Sequence, residues 1–405
     1  MEDVAEKVRK EESGFSRRGF IKGLLAGAGL VTVGVHKALG QMAGGAAKAQ
    51  PVRGWGVPEG LVKLNGNENP IGPSPRVVEA ILQHAYGVNR YAQTQDIYAK
   101  IAKLHGLPVV TPTSPFGAPA GAWVTLGAGS SEVLYAIASA YLRQGGETIE
   151  ATPGYGNIST LGQGWGCTPK WIPVTKDWQH DLSAMKKAIT RNTRMIIITQ
   201  PGNPTGILVP VAELKKFVEE VSPSIMIFLD EAYIDFARKA EDRVGGAYLI
   251  KDHPNVIVAR TFSKIYGMAG MAIGYGLAQP KVIDELNRNK GGRPSMLAVH
   301  AAEAALDDIE YQERAREVHN AGKEYLAQRF KEMGIEYVPS ESSFMLVNVK
   351  KNSDEVCKRL EAEYKVIVGN AFQRWQMQGW LRLSIGLPEE NEAFISALKQ
   401  VLTTI

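Results

Sequence analysis

Lys264 stands in Arg260-Thr261-Phe262-Ser263-Lys264-Ile265-Tyr266-Gly267, directly after an apolar run and 34 positions beyond Asp230. Most lysines are solvated surface charges. An amine set among small residues at the end of a buried strand is instead suited to forming an imine. Asp230 opens Asp230-Glu231-Ala232-Tyr233 at the end of the apolar stretch Ile225 to Leu229. That places a carboxylate at the C-terminal edge of a parallel sheet, where ligands of open α/β folds collect, although strand-end acids also serve as helix caps. Gly127-Ala128-Gly129-Ser130-Ser131-Glu132 follows a strand and opens a helix. Its N–H groups and hydroxyls suit a phosphate at the positive helix end, and equally an ordinary glycine turn with a serine cap. Thr152-Pro153-Gly154-Tyr155 and Gln200-Pro201-Gly202-Asn203-Pro204-Thr205-Gly206 are two further strand-end turns, the first carrying an aromatic ring.

The elements that must position these residues alternate short apolar runs with helical patterns, as in a sheet with crossover helices. Strands are expected at Ala122 to Leu126, Thr148 to Ala151, Arg194 to Thr199, Ile225 to Asp230, Val256 to Arg260 and Met271 to Tyr275. Their β-branched, almost wholly apolar make-up points to a mostly parallel sheet covered on both faces. Helices are expected at Ser130 to Arg143, Leu182 to Ile189 and Val211 to Val221. From about Pro294 to Met333 the pattern is mostly helical, and a smaller α+β portion closes the chain. Thr111 to Ala120 reads as a surface loop.

The 405 residues, 44% apolar, suffice for the core of a two-lobed enzyme. Lys and Arg total 46 against 42 Asp and Glu, and the surplus lies in the first 49 residues, which hold eight basic and five acidic side chains. The remainder is nearly neutral, with no basic face for nucleic acid or an anionic membrane. The expected partner is a small molecule. Cys167 and Cys357 stand in no metal-ligand or redox spacing and are expected as free thiols, with no metal site. Ser16-Arg17-Arg18-Gly19-Phe20-Ile21-Lys22, an apolar stretch from Gly23 to Val35 and Ala47-Lys48-Ala49 resemble a twin-arginine export signal. Cleavage would leave Gln50 first and the enzyme folded, periplasmic or extracytoplasmic, and free of the membrane; an uncleaved signal would tether it.

Taken in order, GAGSSE, NPTG, DEAY and TFSK resemble the class I and II aminotransferases of PLP fold type I. Leu64-Asn65-Gly66-Asn67-Glu68-Asn69-Pro70 with Gly72-Pro73-Ser74-Pro75 is similar to the histidinol-phosphate aminotransferase branch. The resemblance runs from about Leu64 to Leu402. It implies pyridoxal 5′-phosphate (PLP) as cofactor and exchange of an amino group between an amino donor and a 2-oxo acid. It further implies that Lys264 forms the Schiff base and shuttles a proton, that Asp230 pairs with the pyridinium nitrogen, and that Asn203 and Tyr233 bond the phenolic oxygen. Tyr155 would stack on the ring, and Ser130, Ser131, Thr261 and Ser263 would cup the phosphate. Tyr91 matches a tyrosine reaching the neighbouring subunit's phosphate, which implies a homodimer. Arg382, in Trp380-Leu381-Arg382-Leu383-Ser384, matches the arginine that grips the substrate carboxylate through two parallel hydrogen bonds. Asn67 and Asn370 are expected near the substrate. The implied division is a signal at 1–49, a smaller domain with an N-terminal arm at 50–92 and 293–405, and a large cofactor domain at 93–292.

The sequence departs from the pattern at two points. Ala272 replaces an arginine that contacts the cofactor phosphate, which predicts weaker retention of PLP. Asn370 replaces an arginine that, in the histidinol-phosphate branch, meets the substrate phosphate, although Arg374 is near. An ordinary amino acid, or a secreted metabolite bearing one, is therefore the expected donor. The cofactor motifs do not separate transamination from decarboxylation or related lyase chemistry, and a non-catalytic binding scaffold is the remaining alternative.

Overall fold

The computed structural model describes residues 56–111 and 117–405. The export segment and its cleavage site lie outside the described residues. The strands, in chain order, are β1 (Val62–Leu64), β2 (Val124–Ala128), β3 (Gly146–Thr152), β4 (Cys167–Pro173), β5 (Thr193–Thr199), β6 (Met226–Asp230), β7 (Val256–Thr261), β8 (Ile273–Leu277), β9 (Glu336–Val338), β10 (Phe344–Asn348), β11 (Val366–Asn370) and β12 (Trp380–Ser384). They form one sheet ordered β2-β8-β7-β6-β5-β3-β4 and another ordered β1-β11-β12-β10-β9. The architecture is α/β, two sheets flanked by helices, as the resemblance implies.

The larger sheet is parallel from β4 through β7, while β8 runs antiparallel to both β7 and β2. Its apolar runs are buried on both faces with a period of two. Ile196, Ile198, Ile227, Leu229 and Val258 enter one core, whereas Ile197, Phe228, Ile257 and Ala259 enter the opposite one. Each of the larger side chains contributes roughly 1.5–3 kcal/mol on full burial, which outweighs the weak local propensities. Because β2, β3, β5, β6 and β7 all point the same way, their C-terminal ends deliver Ala128, Thr152, Thr199, Asp230 and Thr261 to one edge.

Two details of this sheet differ from the expected elements. β4 (CTPKWIP) carries polar residues and Pro169, and it forms as the outermost strand of the order, where a proline and solvent-facing side chains are tolerated. β8 begins at Ile273 rather than Met271. The reason is a short 3₁₀ turn, Ala269–Met271, followed by Ala272 in the left-handed region (φ 49°), a conformation no strand accommodates.

The helix Ser130–Leu142 packs its start directly onto β8. A Cβ at Gly274 would lie 2.5 Å from the Ser130 nitrogen, so only glycine admits this approach. In the second sheet, β12 is central, pairing Arg382 with Leu346 of β10 and with Gly369 of β11. Val62, Leu64, Met345, Val347, Leu381 and Leu383 close its core against Leu326 and Phe330 of the helix Ile309–Glu332. Cys167 and Cys357 are both free thiols.

Candidate active site

Asp230 is 7% exposed at the end of β6, and one carboxylate oxygen accepts from the Ala232 N–H (3.2 Å). Burial raises its pKa from 3.8 to about 6; the neighbouring Glu231 adds to the rise, while the Ala232 bond and the Lys264 charge oppose it. Lys264 follows β7, its Nζ donating to the Gly66 carbonyl at 3.4 Å and lying 5.4 Å from the centre of the Tyr233 ring. No carboxylate within ion-pairing reach ties it down among the described residues. Tyr233 is buried, packs edge-on against Phe344, and its hydroxyl accepts from Asn67 Nδ2 (3.0 Å). Asn67 is fixed in turn by Ser384, whose Oγ accepts the Asn67 N–H (2.8 Å) and donates to Asn67 Oδ1 (3.2 Å).

Ser130 and Ser131 form the first turn of Ser130–Leu142, which begins at Gly129 (φ 79°) with no side chain capping it. Thr261 Oγ1 donates to Ser263 Oγ (3.0 Å) and accepts the Ser263 N–H (3.1 Å), so these hydroxyls form a joined pair. Ala272 is exposed beside that helix start, about one van der Waals contact from where a Cβ on Gly129 would sit. The structure therefore brings Ser130, Ser131, Asp230, Thr261, Ser263 and Lys264 to the same edge of one sheet, and Ala272 to its margin.

Arg382 reaches this edge from the other sheet. It is 9% exposed, donates through Nη1 to Asn203 Oδ1 (3.0 Å) and through Nη2 to the Asn65 carbonyl (2.9 Å), and leaves Nε buried without a partner. Burial lowers its pKa, with the Arg374 charge adding to the drop. A buried guanidinium with only neutral partners and an unsatisfied N–H is a demand for an anion. Tyr155 lies under the guanidinium of Arg374, 5.2 Å from ring centre to Cζ, and burial together with Asp230 raises its pKa. Asn370 lines the same cavity of about 380 Å³ as Arg382 and Arg374, but its amide is engaged: Nδ2 donates to Asp354, and Oδ1 accepts the Phe372 N–H (3.0 Å). Tyr91 stays apart from this cluster, 74% exposed on the surface with the Arg293 guanidinium over its ring.

Sequence reasoning missed the ion pair beneath the edge. Arg260 and Glu231 are both buried and joined by two hydrogen bonds (2.9 and 3.0 Å), and Glu231 also accepts from Gln200 Nε2 and the Gly246 N–H. It also missed Glu150 of β3, 3% exposed, whose oxygens accept from the Gly156 N–H (2.8 Å) and Ser159 Oγ (2.7 Å), both just after the turn carrying Tyr155. Burial raises its pKa to about 7, with Asp230 contributing. The signals were present as charged residues inside otherwise apolar strands. Trp375, whose Nε1 donates to the Gly154 carbonyl (2.6 Å), left no such signal.

The aminotransferase class I and II family profile matches residues 59–398. Among curated proteins, histidinol-phosphate aminotransferase of Moorella thermoacetica is 36% identical over 84% of this chain and 86% of its own length. Histidinol-phosphate aminotransferase 2 of Ralstonia nicotianae is 38% identical over 84% and 89%. Among solved structures, histidinol-phosphate aminotransferase from Sinorhizobium meliloti, in complex with pyridoxal-5′-phosphate, superposes with a TM-score of 0.75 at 25% identity, covering 85% of this chain and 91% of that one.

Proposed function

This chain belongs to the aminotransferase class I and II family, and on that footing we propose that Lys264, Asp230 and Arg382 exchange an amino group between a carboxylate-bearing amino acid and a 2-oxo acid. It is a PLP-dependent transaminase. The observation that carries the choice of substrate is Arg382, a buried guanidinium with neutral partners and an orphaned Nε. A planar fork of this kind binds a carboxylate through two parallel bonds and fixes the adjacent carbon as well as holding it.

The residues at the sheet edge fit the cofactor. An uncapped helix start with Ser130 and Ser131, joined to the Thr261 and Ser263 hydroxyls, suits its phosphate. The acid suited to its ring nitrogen is Asp230, at the end of β6, whose buried carboxyl would gain from a cationic partner. When bound, PLP supplies an aldehyde carbon and a ring able to take up the electron pair left when a Cα–H bond breaks. Lys264 is the amine that would hold that carbon and, once displaced from it by the substrate's amine, would move the proton from Cα. Tyr233, steadied by Asn67, and Asn203, shared with Arg382, offer hydrogen bonds on the phenolic side. Tyr155 supplies the aromatic platform.

Borohydride treatment of the holoprotein followed by peptide mapping tests the assignment of the amine. Cofactor attached at Lys264 is expected, and attachment elsewhere defeats it. Single-turnover reactions with a donor panel test the substrate. Amino acids are expected to convert the bound cofactor to its amine form without release of carbon dioxide. The activity by which the relatives are named favours histidinol phosphate instead, and faster conversion of that compound than of every amino acid would replace this reading. Asn370, where an arginine was expected for a substrate phosphate, is what sets it aside.

The working unit is a homodimer. Val78, Leu82, Tyr86, Val88 and Tyr91 lie within one short segment and are exposed, with Tyr86 at 95%, and such a cluster of large apolar side chains fits burial against a second copy. Sedimentation of Tyr86→Ser against the unaltered protein tests this. Export by the twin-arginine route is supported by the order of charged, apolar and small regions before Gln50. Retention inside the cell on changing Arg17 and Arg18 to Lys, with a mature mass beginning at Gln50 otherwise, is the expected result.

A further inference from the structure

A tyrosine hydroxyl carries one hydrogen, and the direction of that hydrogen decides whether Tyr233 donates to a ligand at the sheet edge or only accepts. A chain of three buried residues fixes the direction, and it starts from a group whose polarity cannot change. The backbone N–H of Asn67 donates to Ser384 Oγ (2.8 Å). Ser384 is then left with its own hydrogen, which it gives to Asn67 Oδ1 (3.2 Å). This orients the Asn67 amide with its oxygen toward Ser384 and its nitrogen toward Tyr233. Nδ2 can only donate, so the Tyr233 hydroxyl accepts from it (3.0 Å) and keeps its own hydrogen for an acceptor beyond the chain.

The anchor of the chain is rigid. Ser384 ends β12 and pairs with Phe344 of β10, and Phe344 packs edge-on against the Tyr233 ring with centres 5.0 Å apart. One rung of the smaller sheet therefore meets Tyr233 twice, at its ring directly and at its hydroxyl through Asn67. Asn67 itself is held in the left-handed region (φ 53°), which asparagine adopts more readily than most side chains, and there its N–H and its Oδ1 both face one hydroxyl. Without the Ser384 hydrogen nothing in this chain distinguishes the two ends of the amide. Turned over, it would present Oδ1 to Tyr233 and draw the tyrosine hydrogen inward.

We infer that Ser384 is a positioning residue for the reaction, holding the Asn67 amide in the one orientation that leaves Tyr233 a donor to the cofactor's phenolic oxygen. This rests on the placement of Tyr233 proposed above. A hydrogen given to that oxygen favours its negative charge, so the nitrogen joining the cofactor to Lys264 gives up its proton at a lower pH. Ser384 thus acts on the cofactor through two intermediaries and touches neither it nor the substrate.

The test follows the visible absorbance of purified holoprotein against pH, a readout that needs no turnover. In Ser384→Ala the midpoint should move up by about one pH unit or more, the range of one hydrogen bond to a charged group. Ser384→Thr keeps the hydroxyl and should restore most of the shift. Tyr233→Phe removes the donor itself and should raise the midpoint at least as far, and adding Ser384→Ala to it should move the midpoint no further. General loosening of the site would instead add in both backgrounds. An unmoved midpoint in Ser384→Ala, equal shifts in Ser384→Ala and Ser384→Thr, or a shift that adds to that of Tyr233→Phe overturns the role of Ser384 alone. A midpoint indifferent to Tyr233→Phe, or no visible band when the unaltered protein is loaded with PLP, defeats the underlying placement and this inference with it.

Discussion

The edge of the larger sheet and the rim of the cavity beside it are built on opposite plans. At the edge, charge is buried and answered: Glu231 meets Arg260, Gln200 and a backbone N–H, and Glu150 meets Ser159 and Gly156. At the rim, Arg382 keeps an orphaned Nε and Arg374 rests on aromatic faces with no acid opposite. A scaffold that must hold one unchanging cofactor can satisfy its polar groups in advance. A surface that must receive and release different acids in turn has to leave cations unanswered until the ligand arrives.

The contrast breaks first at Glu231. Replacing it with Gln strands the Arg260 charge in the interior, and stability should fall by roughly 3–5 kcal/mol, read from urea unfolding midpoints. The order of donor preference among surviving molecules should not change. An unmoved midpoint would mean the edge is not held by its internal charges.

Glu150 sharpens the same side through pH. Its pKa rises from 4.5 to about 7 on folding. Between those values the folded protein binds the proton more tightly than the unfolded chain does, so this group's contribution to stability declines as pH rises from about 4.5 to 7. Glu150→Gln should remove a decline on the order of 2–3 kcal/mol, leaving a flatter profile of unfolding midpoint against pH. A profile parallel to that of the unaltered protein would show that the buried carboxyl is not titrating there.

Ala272 is the one place where the edge lacks a cation that the family resemblance would supply. Ala272→Arg should lower the dissociation constant for PLP about tenfold or more, the range of one charge-assisted bond, seen as slower loss on dialysis. Equal retention would count against a weakened phosphate site. On the rim the smallest effect is expected. Trp375→Phe removes the bond to the Gly154 carbonyl, worth about 1 kcal/mol. It should raise KM several-fold with kcat little changed, since the ring that it steadies acts on binding.

The parts of the molecule legible in the sequence follow the same division. β5, β6 and β7 were visible because strands buried on both faces must be apolar throughout, and Lys264 and Asp230 could be placed because they end such runs. The reversed direction of β8 was not visible, since a period of two is the same in either sense. β4 was hidden by Pro169 and its mixed polarity. Arg382 and Asn203 were each legible by motif. Their bond joins residues 179 positions apart, and no local pattern encodes it. Asn370 shows the reverse problem: it lines the cavity with Arg382, but its engagement with Asp354 depends on a helix that sequence spacing does not orient.

The order in which β12 appears in the chain has a consequence for biosynthesis. This chain's own residues expected to face the cofactor have all been translated by the end of β8, whereas Arg382, and the Ser384 that fixes Asn67, sit on the last strand among the described residues to leave the ribosome, in the middle of its sheet. A nascent or truncated chain ending before Trp380 would carry this chain's residues expected to face vitamin B6 but no anchor for an amino acid. Until translation is nearly finished, the polypeptide would carry its imine-forming lysine without the means to select an amino acid.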